Sequence, residues 1–236
     1  MYLDELTSEE FERKIKNGCP IILPVGATEA HGPHLPLNTD SLQPEYIAEA
    51  IAKELNVLIA PPIRYGVCRA TASFPGTLSL SFDTIRRIIE EVLEELVRNG
   101  AKLILVLSGH AGRAHMAAIR EAATEVASTH KCKILVLSDY DIAYKLRGKL
   151  VPEEDGHAGT LETSRVMAIR GDLVKELPEP YHPEYPQYLI LTDIKKYLPR
   201  CYHGDPRAAS AELGERVNSI IVREIIELLR RHMNGD

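Results

Sequence analysis

The sequence predicts an α/β fold, layered around a mainly parallel central sheet. Three observations carry this expectation. Short apolar runs alternate with helical stretches as far as residue 137, the order produced when helices cross between parallel strands. The run Leu103 to Leu107 is apolar at every position, as in a strand covered on both faces. No repeat, low-complexity tract or clear linker interrupts the 236 residues, so one domain over 1–236 is expected.

The elements follow in order. Thr7 and Glu10 have capping-box spacing, which starts a helix near Ser8, and Asn17-Gly18 stops it. Ile21 to Val25 reads as a buried strand, with Pro24 weakening its last residues. Residues 26–40 form a loop rich in Gly, Pro, His and Thr. A helix is expected from about Pro44 to Leu55, with Ile47, Ala48, Ile51 and Leu55 on one face. Val57 to Ala60 is a second strand. Pro61 to Ser81 is long and irregular, the kind of connection that is often functional.

Asp83 is expected to cap a helix that runs to Arg98 and ends at Asn99-Gly100. The strand Leu103 to Leu107 follows, then a helix from about Ala114 to Ser128 and a strand from Ile134 to Leu137. Beyond Leu150 the pattern loosens. A helix is expected from Leu161 to Arg170, an edge strand at Tyr188 to Leu191, and a last helix from about Ala208 to His232.

Composition excludes several classes. Hydrophobic residues make up 44% and charged residues 26%, which is ordinary for a soluble globular chain. A net charge of −6 gives no support for a nucleic-acid partner. No apolar run approaches the roughly 20 residues of a membrane span, so no membrane partner is expected. Cys19, Cys68, Cys132 and Cys201 are far apart with no CxxC pair, which argues against a disulfide framework and gives no support for a cysteine-based zinc site. The N-terminal segment lacks the apolar core of a signal peptide, and a cytoplasmic location is the expectation.

The chemistry concentrates at strand ends. Five of nine histidines (His31, His34, His110, His115, His157) fall in three short segments. Glu29, His31 and Asp40 follow the first strand, and His110 follows the third. Carboxylate and imidazole donors suit a divalent ion bound at about 2.0–2.2 Å. Glu29 and His31 could share one ion or face one each, Asp40 could bridge two through its two oxygens, and His110 could add a fourth ligand. A solvated polar loop is the competing reading. His157, in a Gly-rich turn before a helix, has the chemistry of a general acid or base near neutral pH. The residue chemistry alone favours a solvated turn residue, with Thr160 capping the helix and Glu162 a partner of the helix dipole.

The run Val25-Gly26-Ala27-Thr28-Glu29-Ala30-His31-Gly32-Pro33-His34-Leu35-Pro36-Leu37-Asn38-Thr39-Asp40 resembles the signature of the creatininase family of amidohydrolases. Further motifs agree in order: Phe74-Pro75-Gly76-Thr77-Leu78-Ser79-Leu80, Gly109-His110-Ala111-Gly112, Gly156-His157-Ala158-Gly159 with Glu162-Thr163-Ser164, and Gly204-Asp205-Pro206 with Ala209-Ser210. The resemblance implies a creatininase-like layered α/β fold and a homo-oligomer. It also implies Fe(II) or Zn(II), one or two ions per subunit, with Mn(II) also compatible. It places metal ligands at Glu29, His31, Asp40 and His110, with Asp40 bridging, and a catalytic role at His157. His34, Arg113 and Glu162 are candidates for supporting or substrate contacts.

Two departures bear on the substrate. Creatininase has a metal-binding Glu two residues after its counterpart of His110, where this chain has Gly112, so a second ion needs Glu162 or water instead. The chain has no Trp, whereas creatininase uses Trp around its substrate, which argues against creatinine. Within the family the run from Gly109 to His115 is similar to archaeal deformylases of flavin and deazaflavin biosynthesis. That similarity implies a phosphorylated pyrimidine partner, 2-amino-5-formylamino-6-(ribosylamino)pyrimidin-4(3H)-one 5′-phosphate, losing formate. A phosphate wants Arg and backbone N–H groups. Arg64, Arg69 and Arg113 are candidates, Arg113 foremost. Alternatives are another cyclic-amide or peptide amidohydrolase of the family, such as mycofactocin-type peptide cleavage, and a non-catalytic metal- or nucleotide-binding protein.

Overall fold

Four parallel strands form the centre of the molecule: β1 (Ile21–Val25), β2 (Leu58–Ile59), β3 (Leu103–Ser108) and β4 (Lys133–Ser138), in the spatial order β2-β1-β3-β4. The computed structural model describes residues 1–233. Seven α-helices flank the sheet: α1 (Ser8–Lys16), α2 (Thr39–Glu54), α3 (Phe82–Arg98), α4 (Arg113–Thr129), α5 (Tyr140–Ala143), α6 (Thr160–Arg170) and α7 (Ala211–Met233). This is the layered, mainly parallel α/β arrangement expected from the sequence.

The continuous apolar runs have a physical reason. Ile21, Leu23 and Val25 of β1, with Ile104 and Val106 of β3, pack against Ile15 of α1, Ile85 and Ile89 of α3 and Ile119 of α4. The alternate residues Ile22, Leu103, Leu105 and Leu107 face the other layer, with Ile47 and Ile51 of α2 and Val217, Ile221 and Ile225 of α7. Both faces of the sheet are therefore core. Each fully buried Ile or Leu contributes roughly 1.5–3 kcal/mol.

The strand order positions the site. From β1 the chain crosses through α2 to β2 on one side; from β2 it returns through α3 to β3 on the other. The direction of winding thus reverses between β1 and β3, and open α/β sheets bind ligands outside the carboxyl ends of strands at such a point. Val25 lies opposite Ser108 in the register, so both strands end side by side.

Several boundaries differ from the sequence reading. Helix α2 begins at Thr39 rather than near Pro44. Ser41 and Leu42 already donate to the Asn38 carbonyl, and Pro44 is accommodated inside the helix. Ser81, not Asp83, caps α3: its hydroxyl accepts the Thr84 N–H at 3.1 Å. Residues 206–208 form a 3₁₀ turn, and α7 starts at Ala211. No strand forms at Tyr188 to Leu191. Tyr188 and Ile190 are solvent-exposed, and an apolar run without a pairing partner has no ladder to join.

Candidate metal centre

Two strand ends and two helix starts converge on one cleft. Glu29 and His31 follow β1, Asp40 lies in the first turn of α2, His110 follows β3, and Glu162 lies in the first turn of α6. All five side chains are buried. Gly109 lets α2 approach β3, because a Cβ at 109 would run into the Asp40 carbonyl oxygen and the Pro44 ring. Asp40 and His110 meet through that close contact.

The donors fall into two groups that share Asp40. His31 Nε2 is 3.1 Å from Asp40 Oδ1 and 3.5 Å from Glu162 Oε2. His110 Nδ1 is 2.9 Å from Asp40 Oδ2 and 2.9 Å from Glu29 Oε2. One carboxylate thus turns one oxygen to each imidazole.

The far side of each ring is held by main chain. His31 Nδ1 lies 3.0 Å from the Glu29 carbonyl, and His110 Nε2 lies 3.2 Å from the Val67 carbonyl. Each of those nitrogens carries the N–H, which leaves His31 Nε2 and His110 Nδ1 as the inward lone pairs. Thr71 Oγ1 donates to Glu29 Oε1 at 2.5 Å, and the Ala158 N–H donates to Glu162 Oε2 at 2.6 Å.

The residues fit a divalent cation. Among the described residues, Glu29 Oε2 and Asp40 Oδ2 are buried with no hydrogen bond of acceptable geometry. Buried anionic oxygens are costly unless a cation compensates them. The local field has the matching sign. Burial alone would lower the His31 pKa, but Asp40, Glu162 and Glu29 outweigh it and lift it to about 10. His110 likewise rises against its burial, driven by Glu29 and Asp40. Burial would raise Asp40, yet the two imidazoles hold it well below the usual carboxylate range.

His157 stands beside this cluster. Its ring centroid is 4.2 Å from that of His31, and its Nε2 is 2.8 Å from the Ala30 carbonyl. Burial and His31 oppose its charging, but Cys201, Glu29 and Glu162 together raise its pKa. His157, Glu29, Asp40, His110 and Glu162 line a cleft of about 640 Å³, with Arg113, Tyr144, Tyr185, Leu191, Ile194 and Leu198 around it.

The remaining sequence candidates separate. Arg113 is exposed at the start of α4 and lines the cleft. Arg64 is drawn into a surface pair with Glu45 at 2.8 Å. His34 is buried against α6, with Nε2 3.0 Å from Thr163 Oγ1, and burial lowers its pKa to about 4. It fastens the loop after β1 to α6. Asp155, rather than Thr160, receives the first amides of α6: its carboxylate accepts from Thr160 N at 2.7 Å and Leu161 N at 3.0 Å.

Two residues at the centre were not singled out in the sequence, Thr71 and Cys68. Both lie on the long irregular segment from Pro61 to Ser81, whose length was the available signal. No spacing marks the two positions themselves.

The chain is similar to known proteins along nearly its whole length. The family model described as "Creatininase: Creatinine amidohydrolase" matches residues 4–229. The creatinine amidohydrolase of Pseudomonas putida is 29% identical over 252 aligned residues, covering 98% of this chain and 96% of that protein. The mycofactocin precursor peptide peptidase of Mycobacterium ulcerans (strain Agy99) is 27% identical over 229 residues, covering 91% and 86%. A mutant creatininase structure of Zn-Zn type superposes with a TM-score of 0.89 at 26% identity, covering 98% of both chains. A manganese creatininase superposes with a TM-score of 0.87 at 28% identity, again covering 98% of both.

Proposed function

Since the chain belongs to the creatininase family, whose members are metal-dependent amidohydrolases, we propose that it hydrolyses the formamide of 2-amino-5-formylamino-6-(ribosylamino)pyrimidin-4(3H)-one 5′-phosphate and releases formate. The hydrolytic part rests on one observation: Asp40 turns one oxygen to His31 and the other to His110, with His157 alongside. Glu29, Asp40 and His110 would hold one ion; His31, Asp40 and Glu162 would hold another. Glu162 thereby takes the place of the carboxylate that Gly112 lacks. Such an ion supplies Lewis-acid polarisation of a carbonyl and lowers the pKa of water toward ~7.

The chain's own residues provide the rest. Glu29, fixed by Thr71, and the two backbone-anchored imidazoles give a donor set that needs little rearrangement. His157 donates its Nε2–H to the Ala30 carbonyl, so the nitrogen free to gain and lose a proton is Nδ1. Against burial and His31, its pKa is raised by Cys201, Glu29 and Glu162, and we assign the Nδ1 proton to protonating the departing amine. Arg113 and the N-terminus of α4 lie at the same cleft, where a guanidinium and free N–H groups suit a phosphate.

A second reading within the family is supported by the similarity to a peptide peptidase and by the apolar rim of Tyr185, Leu191, Ile194 and Leu198. It takes a peptide or cyclic amide in place of the pyrimidine. The deciding experiment is formate release from the formylaminopyrimidine by folded protein loaded in turn with Fe(II), Zn(II) and Mn(II). Release with any of these supports the deformylase reading. No release with all three, together with cleavage of a peptide or cyclic-amide panel, selects the second.

A further inference from the structure

We infer that Cys68 supplies a thiolate to the cation held by Glu29, Asp40 and His110, making that half of the centre a mixed oxygen, nitrogen and sulfur site. The inference rests on the metal-centre reading above and goes further, because it names a ligand and assigns the two halves different work.

Cys68 is 1% exposed. Its Sγ, a Glu29 carboxylate oxygen and a His110 ring nitrogen all lie within 4.8 Å of one another. Donor atoms bound at about 2.0–2.3 Å to one ion stand no more than roughly 4.6 Å apart, so the three need only a small inward movement. Glu29 Oε2 is buried 2.9 Å from His110 Nδ1 with no hydrogen bond of acceptable geometry among the described residues, which marks a ligand position independently of the cysteine.

The backbone fixes the sulfur there. The Cys68 N–H donates to Ser79 Oγ at 2.9 Å. The preceding carbonyl, Val67, accepts the His110 Nε2–H at 3.2 Å. One short segment therefore orients the His110 ring and places the thiol against it.

Coordination is a ligand exchange. The S–H bond breaks, its electron pair stays on sulfur and becomes the bond to the ion, and the proton passes to buffer. Glu29, Asp40, His110 and Cys68 then make four donors, the closed set typical of a structural ion. His31, Asp40 and Glu162 make three, leaving a position for reaction beside His157. A soft sulfur donor also biases the closed half toward Zn(II) or Fe(II) and away from Mn(II).

The test uses cobalt-loaded full-length protein and its absorption spectrum. Parent protein and Cys201→Ser should both show a near-ultraviolet sulfur-to-cobalt band beside the visible d–d bands. Cys68→Ser and Cys68→Ala should keep d–d bands and lose the sulfur band. In competition, Cys68→Ser should lower the preference for Zn(II) over Mn(II) by at least roughly tenfold, the least that loss of even an outer partner costs. Parent d–d bands without a sulfur band would overturn the role of Cys68 and leave the metal centre standing. So would a sulfur band that survives in Cys68→Ser. Absence of all cobalt bands in the parent would overturn both. Should both Cys68 variants fail to fold, the parent and Cys201→Ser spectra decide.

Discussion

Gly112 stands directly against the His110 ring: a Cβ at position 112 would lie 2.5 Å from His110 Nε2. That nitrogen is the one held by the Val67 carbonyl. A side chain at 112 therefore pushes the imidazole off its anchor. Gly112→Ala is expected to fold and to lose roughly 10–100-fold in zinc affinity, the usual cost of disturbing an outer partner of a ligand. Chelator competition measures it, and parent-like affinity would show that His110 does not depend on this clearance.

His157→Ala separates catalysis from binding. Loss of a positioned general acid costs roughly 10²–10⁴-fold in rate, while the donor set of Glu29, Asp40, His31, His110 and Glu162 is untouched. Formate release should fall within that range with metal content unchanged by elemental analysis. Unchanged turnover would remove His157 from the chemistry.

Asp40 serves both donor groups, so its replacement should cost more metal than that of any other carboxylate in the cluster. Asp40→Asn is expected to lose both ions, and Glu29→Gln or Glu162→Gln to lose mainly one. Metal-to-protein ratios after gel filtration decide this. Removing metal from the parent should also lower its melting temperature, since ligand at 100 times its Kd adds about 2.7 kcal/mol.

Asp155 makes stability depend on pH. Burial raises its pKa from 3.8 to about 6, even though two amides of α6 donate to it. A folded value above the unfolded one favours the native state when the carboxyl is protonated. The contribution is fully present below about pH 4 and is lost as pH rises through about 6, a change of about 3 kcal/mol. Urea unfolding of parent and Asp155→Asn from pH 4 to 8 should show the parent losing ground to the variant as pH rises. A difference independent of pH would contradict the assignment.

Arg165 and Asp139 form a fully buried pair at 2.6 Å, and Arg165 also donates to Asn218 at 2.8 Å. Arg165→Met strands a buried carboxylate and should cost about 3–5 kcal/mol. The double variant Arg165→Met/Asp139→Leu should recover part of that loss in the same urea assay.

The strands were legible because burial on both faces demands uninterrupted apolar runs, and Ile21 to Val25 and Leu103 to Leu107 have them. Helix entries were less legible. Pro44 suits a first turn, and only the hydrogen bonds at Asn38 show that α2 begins five residues earlier. Tyr188 to Leu191 has the composition of a strand, but composition cannot supply a neighbouring edge.

The sequence by itself determined the fold class and the chemistry in reserve: Glu29, His31, Asp40, His110 and His157, each at a strand end or helix start. These are local properties, written in periodicity and motif. Tertiary structure alone decided how they meet. The reversal of winding between β1 and β3 and the missing Cβ at Gly109 bring Asp40 between His31 and His110. The same folding carries Glu162 in from α6 and lays Cys68 and Thr71 beside Glu29. Those meetings depend on packing between segments distant in sequence, so no local pattern encodes them.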